Sequence, residues 1–365
     1  MDEDRDAHAG DGALAVTEAP PVVAPKARRR FSRRTALGGG LGIAVIVVTF
    51  VFVLPKVADY HSVWAVVKDL SWSQIGLLAG ATVLNLATYA PPWQAALPGI
   101  RFRQAFVLTQ ASTASTYVLP GGAAVGMGVS FGMLRGWGFT GRPVTLALAL
   151  TGIWNQFAAL AFPIVALALL TLSKEQNPLL QTVAFIGVAI LIVSASGFAV
   201  GLTSDRLAKW VGNTAARIVT KLLGLIRRGP VKWNGSSFVS FRHEAVGLLK
   251  RRWHVLTLAV LAGQLTVFLV FFVSLRVLDV SSGEVTAIEA FAAWSLARLL
   301  GSIPITPGGL GIVEVGLTTA LVGFGGKNAE VVAAVLVYRF LTMVPTLVLG
   351  LLAAATWRRH RPAVA

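Results

Sequence analysis

Apolar residues along this chain come in long unbroken runs, separated by short polar or basic punctuation. A helix needs about 20 such residues to cross a hydrocarbon core about 30 Å thick. Runs of that order predict spans at Ala36–Leu54, Gln74–Ala90, Val144–Leu172, Leu180–Leu202, Val255–Leu278 and Val331–Trp357. Two further apolar stretches, Gln104–Leu134 and Ile288–Leu321, are interrupted by Leu119-Pro120-Gly121-Gly122 and by Pro304-Ile305-Thr306-Pro307-Gly308-Gly309. Each half is about 15 residues, roughly 22 Å of helix, too short to cross comfortably. These stretches read as re-entrant hairpins, with two short tilted spans as the alternative. The expected fold class is therefore an all-α polytopic membrane protein with about six full spans plus two broken re-entrant helical hairpins.

The polar punctuation divides the chain. Residues 1–34 lack periodicity and read as a disordered, basic-ended tail. Residues 35–357 form the membrane domain, and 358–365 a second tail. Inside the domain, 205–253 is a basic segment whose Leu207, Trp210, Val211, Ile218, Leu222 and Leu225 recur at helical spacing. That pattern predicts an amphipathic helix over 206–226, lying on the inner leaflet. Strongly basic stretches mark cytoplasmic loops, so both termini are expected in the cytoplasm and the protein in the plasma membrane. Arg276, near the outer end of its span, is expected to snorkel to the interface.

Composition narrows the chemistry. The chain is 55% hydrophobic and 13% charged, which excludes an ordinary soluble domain. A net charge of +16 would otherwise suggest nucleic acid. Here the cations sit in the tail and loops, where they set topology and meet anionic headgroups, so no nucleic-acid partner is expected. Cysteine is absent, and the five histidines show no ligand spacing, so no metal site or cofactor is expected.

The two breaks align at an offset of 187 positions. Pro120, Gly121 and Gly122 fall on Pro307, Gly308 and Gly309, and Ser115, Leu134, Gly136 and Gly138 fall on Ser302, Leu321, Gly323 and Gly325. Chance matching in a Gly- and Leu-rich chain is the alternative to an inverted-topology repeat, in which broken helices meet near the midplane and form the substrate site. A half-helix that starts at such a break presents free N–H groups and partial positive charge, a site for an anion.

Three charges stand inside apolar segments: Arg298 before the second break, Glu314 after it, and Arg339 within the last span. A charge at bilayer depth costs at least about 2.5 kcal/mol, so each should face the protein interior and find a partner. Either Glu314 and one arginine form a buried ion pair, or the surplus positive charge beside the half-helix N-terminus binds an anionic lipid headgroup. Tyr338 and Ser302 are candidate polar helpers.

Ala297-Arg298, Thr306-Pro307-Gly308-Gly309-Leu310-Gly311-Ile312-Val313-Glu314 and Tyr338-Arg339 resemble the signature of the lysylphosphatidylglycerol synthase transmembrane, or flippase-like, family, over roughly residues 36–357. Leu119-Pro120-Gly121-Gly122 resembles that family's first motif, but Ala123–Gly128 carries no charge where the family often has acids and arginines. The resemblance implies movement of a lipid between leaflets, without the soluble aminoacyl-transferase domain of the fused synthases. The expected partners are membrane lipids, anionic ones above all: an acidic phospholipid, an aminoacyl-phospholipid or a polyprenyl-phosphate-linked lipid. The implied binding residues are Arg298, Pro307, Gly308, Gly309, Glu314, Tyr338 and Arg339, with Gly121 and Gly122 from the first break. The competing readings are a non-transporting scaffold for lipid or cell-envelope synthesis proteins, and a membrane-embedded lipid glycosyltransferase. The transferase would need a second acid near Glu314.

Overall fold

The computed structural model describes residues 68–118, 122–172, 178–225, 234–301 and 307–357. The predicted first span, both tails, the Leu119–Gly121 break, Ser302 and the outer loop at 173–177 lie outside the described residues.

Every regular element among the described residues is helical. In chain order they are α1 (Trp72–Thr88), α2 (Pro91–Ala96), α3 (Phe102–Val118), α4 (Gly122–Gly136), α5 (Gly141–Leu172), α6 (Pro178–Thr203), α7 (Asp205–Leu225), α8 (Gly235–Val277), α9 (Ala287–Gly301), α10 (Ile312–Gly323) and α11 (Asn328–Thr356). A single 3-10 turn, Pro307–Gly309, leads into α10. Four of the helices, α5, α6, α8 and α11, contain stretches long and apolar enough to cross a membrane. The 17-residue α1 falls just short of that length.

The predicted interruptions are present as pairs of short helices. α3 packs on α4, and α9 on α10. α11 lies along α3, where Gly350 faces Ala114: a Cβ on Gly350 would come within 2.3 Å of the Ala114 Cβ and 2.8 Å of the Gln110 carbonyl. Small residues thus set the approach of these backbones, the usual device where lipid supplies no hydrophobic drive between helices. α8 packs along α1, α5 and α11. Polar contacts tie its seam with α1, through Thr88–Thr266 at 2.7 Å and Asn85 Nδ2 donating to Thr266 Oγ1 at 3.2 Å.

The two hairpins end alike. α4 closes with Trp137 N–H on Met133 O, Gly138 N–H on Arg135 O and Phe139 N–H on Leu134 O. α10 closes with Phe324 N–H on Ala320 O, Gly325 N–H on Val322 O and Gly326 N–H on Leu321 O. Each bond has its counterpart at the 187-position offset, and Gly138 and Gly325 both take the left-handed conformation (φ 95° and 116°). The glycine is required there because a Cβ is strained at such φ, and the wound-back N–H groups satisfy the last carbonyls of the helix. The next helices also begin in register, α5 at Gly141 and α11 at Asn328.

One expectation changes in extent. The span expected at Val255–Leu278 is the C-terminal half of one 43-residue helix, α8, which continues through the basic segment from Gly235. It stays helical because Ala245 and Leu249 are buried, and Phe238 lies against Gly212 of α7. The amphipathic helix forms as α7, packed on the start of α8, with Asn213 Oδ1 accepting from Gly235 N–H at 2.9 Å. Arg276 is tied to the loop that follows its helix. Its guanidinium donates to the Val280 and Val285 carbonyls at 2.6 and 2.7 Å and lies over the Phe272 ring, closing the loop between α8 and α9.

Candidate functional site

The second break is held by charge. Glu314, in the first turn of α10, accepts Gly311 N–H at 2.7 Å through Oε2. Its Oε1 accepts the Arg339 Nε–H of α11 in a short ion pair. Arg339 Nη2 also donates to the Gly308 carbonyl, at 2.9 Å. The two side chains keep only 12% and 9% of their surface, so the pair is buried. One carboxylate therefore caps the half-helix and neutralises the arginine, while that arginine satisfies a carbonyl of the turn. The N–H at the half-helix start, expected to be open to an anion, is taken by Glu314 of the same chain. Gly308 contributes its carbonyl here, and its left-handed backbone (φ 62°) with Tyr117 beside it explains the glycine.

Arg298 is elsewhere and differently partnered. It shares one face of α9 with Trp294, one turn earlier, while Leu296 and Leu300 lie exposed on the opposite face. Its guanidinium sits 5.5 Å from the Trp294 ring, and Nη2 donates to Gln264 Oε1 of α8 at 2.6 Å. Gln264 Nε2 donates in turn to Asn155 Oδ1 of α5 at 2.8 Å, and Asn155 Nδ2 to the Thr151 carbonyl at 2.8 Å. Trp294 is fully buried among Phe162, Phe268 and Phe291, at centroid distances of 5.4–5.8 Å, which fixes this part of α9. Among the described residues no carboxylate pairs with Arg298. Arg298 retains partial exposure.

The arginines converge with tyrosines. Tyr117, at the tip of α3, lies within electrostatic reach of Arg298, Arg339 and Tyr338, and Tyr89, just past α1, within reach of Arg298 and Tyr117. Tyr89, Tyr117, both arginines and Gly308 are all partly exposed, although they stand among the bundle's helices. The tip of α3 touches the Pro307–Gly309 turn, with Tyr117 beside Gly308. The last turns of α3 add Ser112, Ser115 and Thr116, each hydroxyl donating to a carbonyl of its own helix.

The family model described as "Lysylphosphatidylglycerol synthase TM region" matches residues 40–350, nearly the whole of this bundle and both breaks. The chain belongs to the lysylphosphatidylglycerol synthase transmembrane family. Among curated proteins none matches it at a significant level. The family is that of the synthase's membrane region, in agreement with a multi-pass membrane protein built from apolar helices.

For this family member, four predicted site residues, Gly308, Gly309, Glu314 and Arg339, gather around the second break. Tyr338 is buried edge-on against Phe271 at 5.1 Å. Gly309 (φ 69°) is buried against Gly301 and Val313. Pro307 begins the turn. Arg298 faces the α8 and α5 amides instead of Glu314. Gly122 begins α4, packed so closely on Thr116 that a Cβ would meet its carbonyl at 2.1 Å, and Gly121 lies outside the described residues. The sequence reading missed Gln264 and Asn155. The available signal was an uncharged amide in the middle of each of two apolar helices, a group that must find a partner in lipid. None of the predicted residues lines the cavity of about 390 Å³ between the start of α5 and the basic part of α8, where Arg142 and Glu244 approach to 4.0 Å.

Proposed function

We propose that this protein is a lipid translocase of the plasma membrane, moving an anionic lipid between leaflets past the polar and charged groups around the second break. The observation that carries the reading is Arg298. It is a cation without an acidic partner among the described residues, turned inward by a neutral amide relay and still partly exposed. An arginine held by a neutral acceptor keeps its charge and most of its donors for a phosphate. Arg339 and Glu314 hold the second break, and the hydroxyls of α3 and the tyrosines supply further polar surface.

The hairpins act as the two halves of an inverted-topology repeat. Matching helix ends at one constant offset support this, as do the three membrane-length helices α5, α6 and α8 between them, an odd number that turns the second hairpin over. With the predicted first span, both termini are cytoplasmic. No step of this reading is enzymatic: a transferase would need a second acid beside Glu314, and Glu314 spends both oxygens on Gly311 and Arg339.

The test is translocation of fluorescent phosphatidylglycerol in proteoliposomes, followed by quenching from outside. The wild-type protein should equilibrate the leaflets, and Arg298→Gln, folded by thermal melt, should not. Equal transport by the variant would overturn the assignment. The buried Arg339–Glu314 pair favours a second reading, a structural partner of envelope-synthesis proteins, which gains if the folded wild-type protein moves no lipid at all.

A further inference from the structure

The cavity between the N-terminal turns of α5 and α8 has a volume of about 390 Å³. Pockets that take small molecules run from about 300 to 1,000 Å³. Small side chains leave this space, Gly141 and Thr145 on α5 and Ser237 and Ser240 on α8. Further along, the same two helices are tied together. Trp154 Nε1 donates to Thr257 Oγ1 at 2.8 Å, and Gln264 Nε2 to Asn155 Oδ1 at 2.8 Å.

The charges in the cavity are opposed and weakly joined. Arg142 Nη1 and Glu244 Oε1 stand 4.0 Å apart, with 78% and 37% of their side chains exposed. A pair so open contributes little to stability, and neither group is committed to the other. The hydroxyls have spent their protons nearby. Thr145 donates to the Gly141 carbonyl at 2.9 Å, Ser240 to the Ser236 carbonyl at 3.3 Å, and Ser237 to Asn234 Oδ1 at 3.5 Å. What their oxygens still offer is lone pairs.

The lining therefore has two sides. The Glu244 carboxylate and the hydroxyl oxygens suit an ammonium, which brings several N–H donors and no acceptor. Arg142, in the first turn of α5, suits an oxyanion, at the helix end whose dipole favours negative charge. A ligand with both groups replaces one weak contact by two charge-assisted ones. A plain anion is set against Glu244, and a plain cation against Arg142. The cavity lies at the start of the membrane-length helix α5, and Lys250, Arg251 and Arg252 follow Glu244 along α8. Basic residues at the end of an apolar span mark the level of phospholipid headgroups, where the zwitterion at hand is a phosphate ester with an amine.

We propose that this cavity binds a phosphoethanolamine group, with Arg142 on the phosphate and with Glu244 and the hydroxyls on the ammonium. None of its residues belongs to the second break, so binding here is independent of lipid movement there. The shared chemistry is phosphoethanolamine, as a lipid headgroup or as the free compound.

The test needs a reporter local to the cavity. The chain has no cysteine, so Ser236→Cys, at the exposed rim, carries a single environment-sensitive fluorophore on the full chain in detergent. Short-chain phosphatidylethanolamine, phosphatidylglycerol of the same chain length and free phosphoethanolamine are titrated in turn. One of the two ethanolamine ligands should saturate the signal at a concentration at least about tenfold lower than phosphatidylglycerol does, and the tighter of the two names the source. Equal response to phosphatidylglycerol, or no response to either ethanolamine ligand, would overturn the proposal. In proteins shown to be folded by thermal melt, Glu244→Gln should abolish the preference for the amine, and Arg142→Gln should weaken both lipids. A preference unchanged in Glu244→Gln, or binding unchanged in Arg142→Gln, would overturn it as well.

Discussion

The two hairpins meet the same problem, peptide groups exposed at a helix break inside an apolar bundle, and meet it with different chemistry. In the second, Glu314 and Arg339 satisfy an N–H and a carbonyl and neutralise each other. In the first, no charge takes part among the described residues: Thr116 donates to the Ser112 and Gly122 carbonyls, and the two half-helices come close through Gly122 and Gly126. The packing is also exchanged. In the first hairpin the bulk is Thr116 on the entering helix and the glycine, Gly126, is on the returning one. In the second the bulk is Val313 on the returning helix, seated on Gly301 and Gly309. Equal backbone ends with unequal tips mean that the two hairpins share the way the chain turns, while the second is held by charge and the first by hydroxyls.

The largest effect that separates the two should come from breaking the ion pair. Glu314→Ala or Arg339→Ala leaves a buried charge alone and should cost about 3–5 kcal/mol, read as a large fall in thermal stability in detergent. Removing both partners together should cost less than the sum, because neither charge is then stranded. Thr116→Val, the corresponding insult to the first hairpin, should cost about 1 kcal/mol. If it costs as much as Glu314→Ala, the contrast fails.

Next in size are the close contacts. Gly126→Val must displace Thr116 Oγ1 and the Ser112 carbonyl, 2.6 and 2.9 Å from the new Cβ, and should destabilise by about 1–3 kcal/mol. Gly316→Ala in the second hairpin meets only Leu300 Cδ1 at 3.7 Å and should be nearly neutral in the same melt.

The smallest effect belongs to the clip outside the second hairpin. The Lys327 ammonium and the Ser281 N–H hold the Glu284 carboxyl below the ordinary carboxylate range. A lowered folded value means the contribution is present above the unfolded value and is lost as pH falls through the folded one. Stability should therefore decline on acidification slightly more in the wild type than in Lys327→Met, a difference visible in melting curves taken from neutral pH down into the acid range.

Much of this was legible in the chain. The breaks, the interior charges and the 187-position offset follow from where proline, glycine and charge interrupt apolar runs, and the hydrogen bonds at Gly138 and Gly325 repeat that offset. Which arginine joins Glu314 was not legible. Arg339 is 25 residues away in sequence, and only the passage of α11 beside the turn selects it over Arg298. Gln264 and Asn155 were hidden because a single amide hardly changes the hydropathy of a span. The full length of α8 was hidden because the run of Lys250, Arg251 and Arg252 looks like an end, although the helix behind it is held by contacts with α2 and α7.

Those contacts give α8 a mechanical role. A helix of 43 residues is roughly 64 Å long and, without proline, bends little. Its foot rests on α7 and its middle carries Gln264. It is a stiff rod with α7 against one end and the grip on Arg298 partway along. A tilt that frees the guanidinium must also shift the foot, so the contacts with α7 and the hold on Arg298 are coupled through one rigid rod.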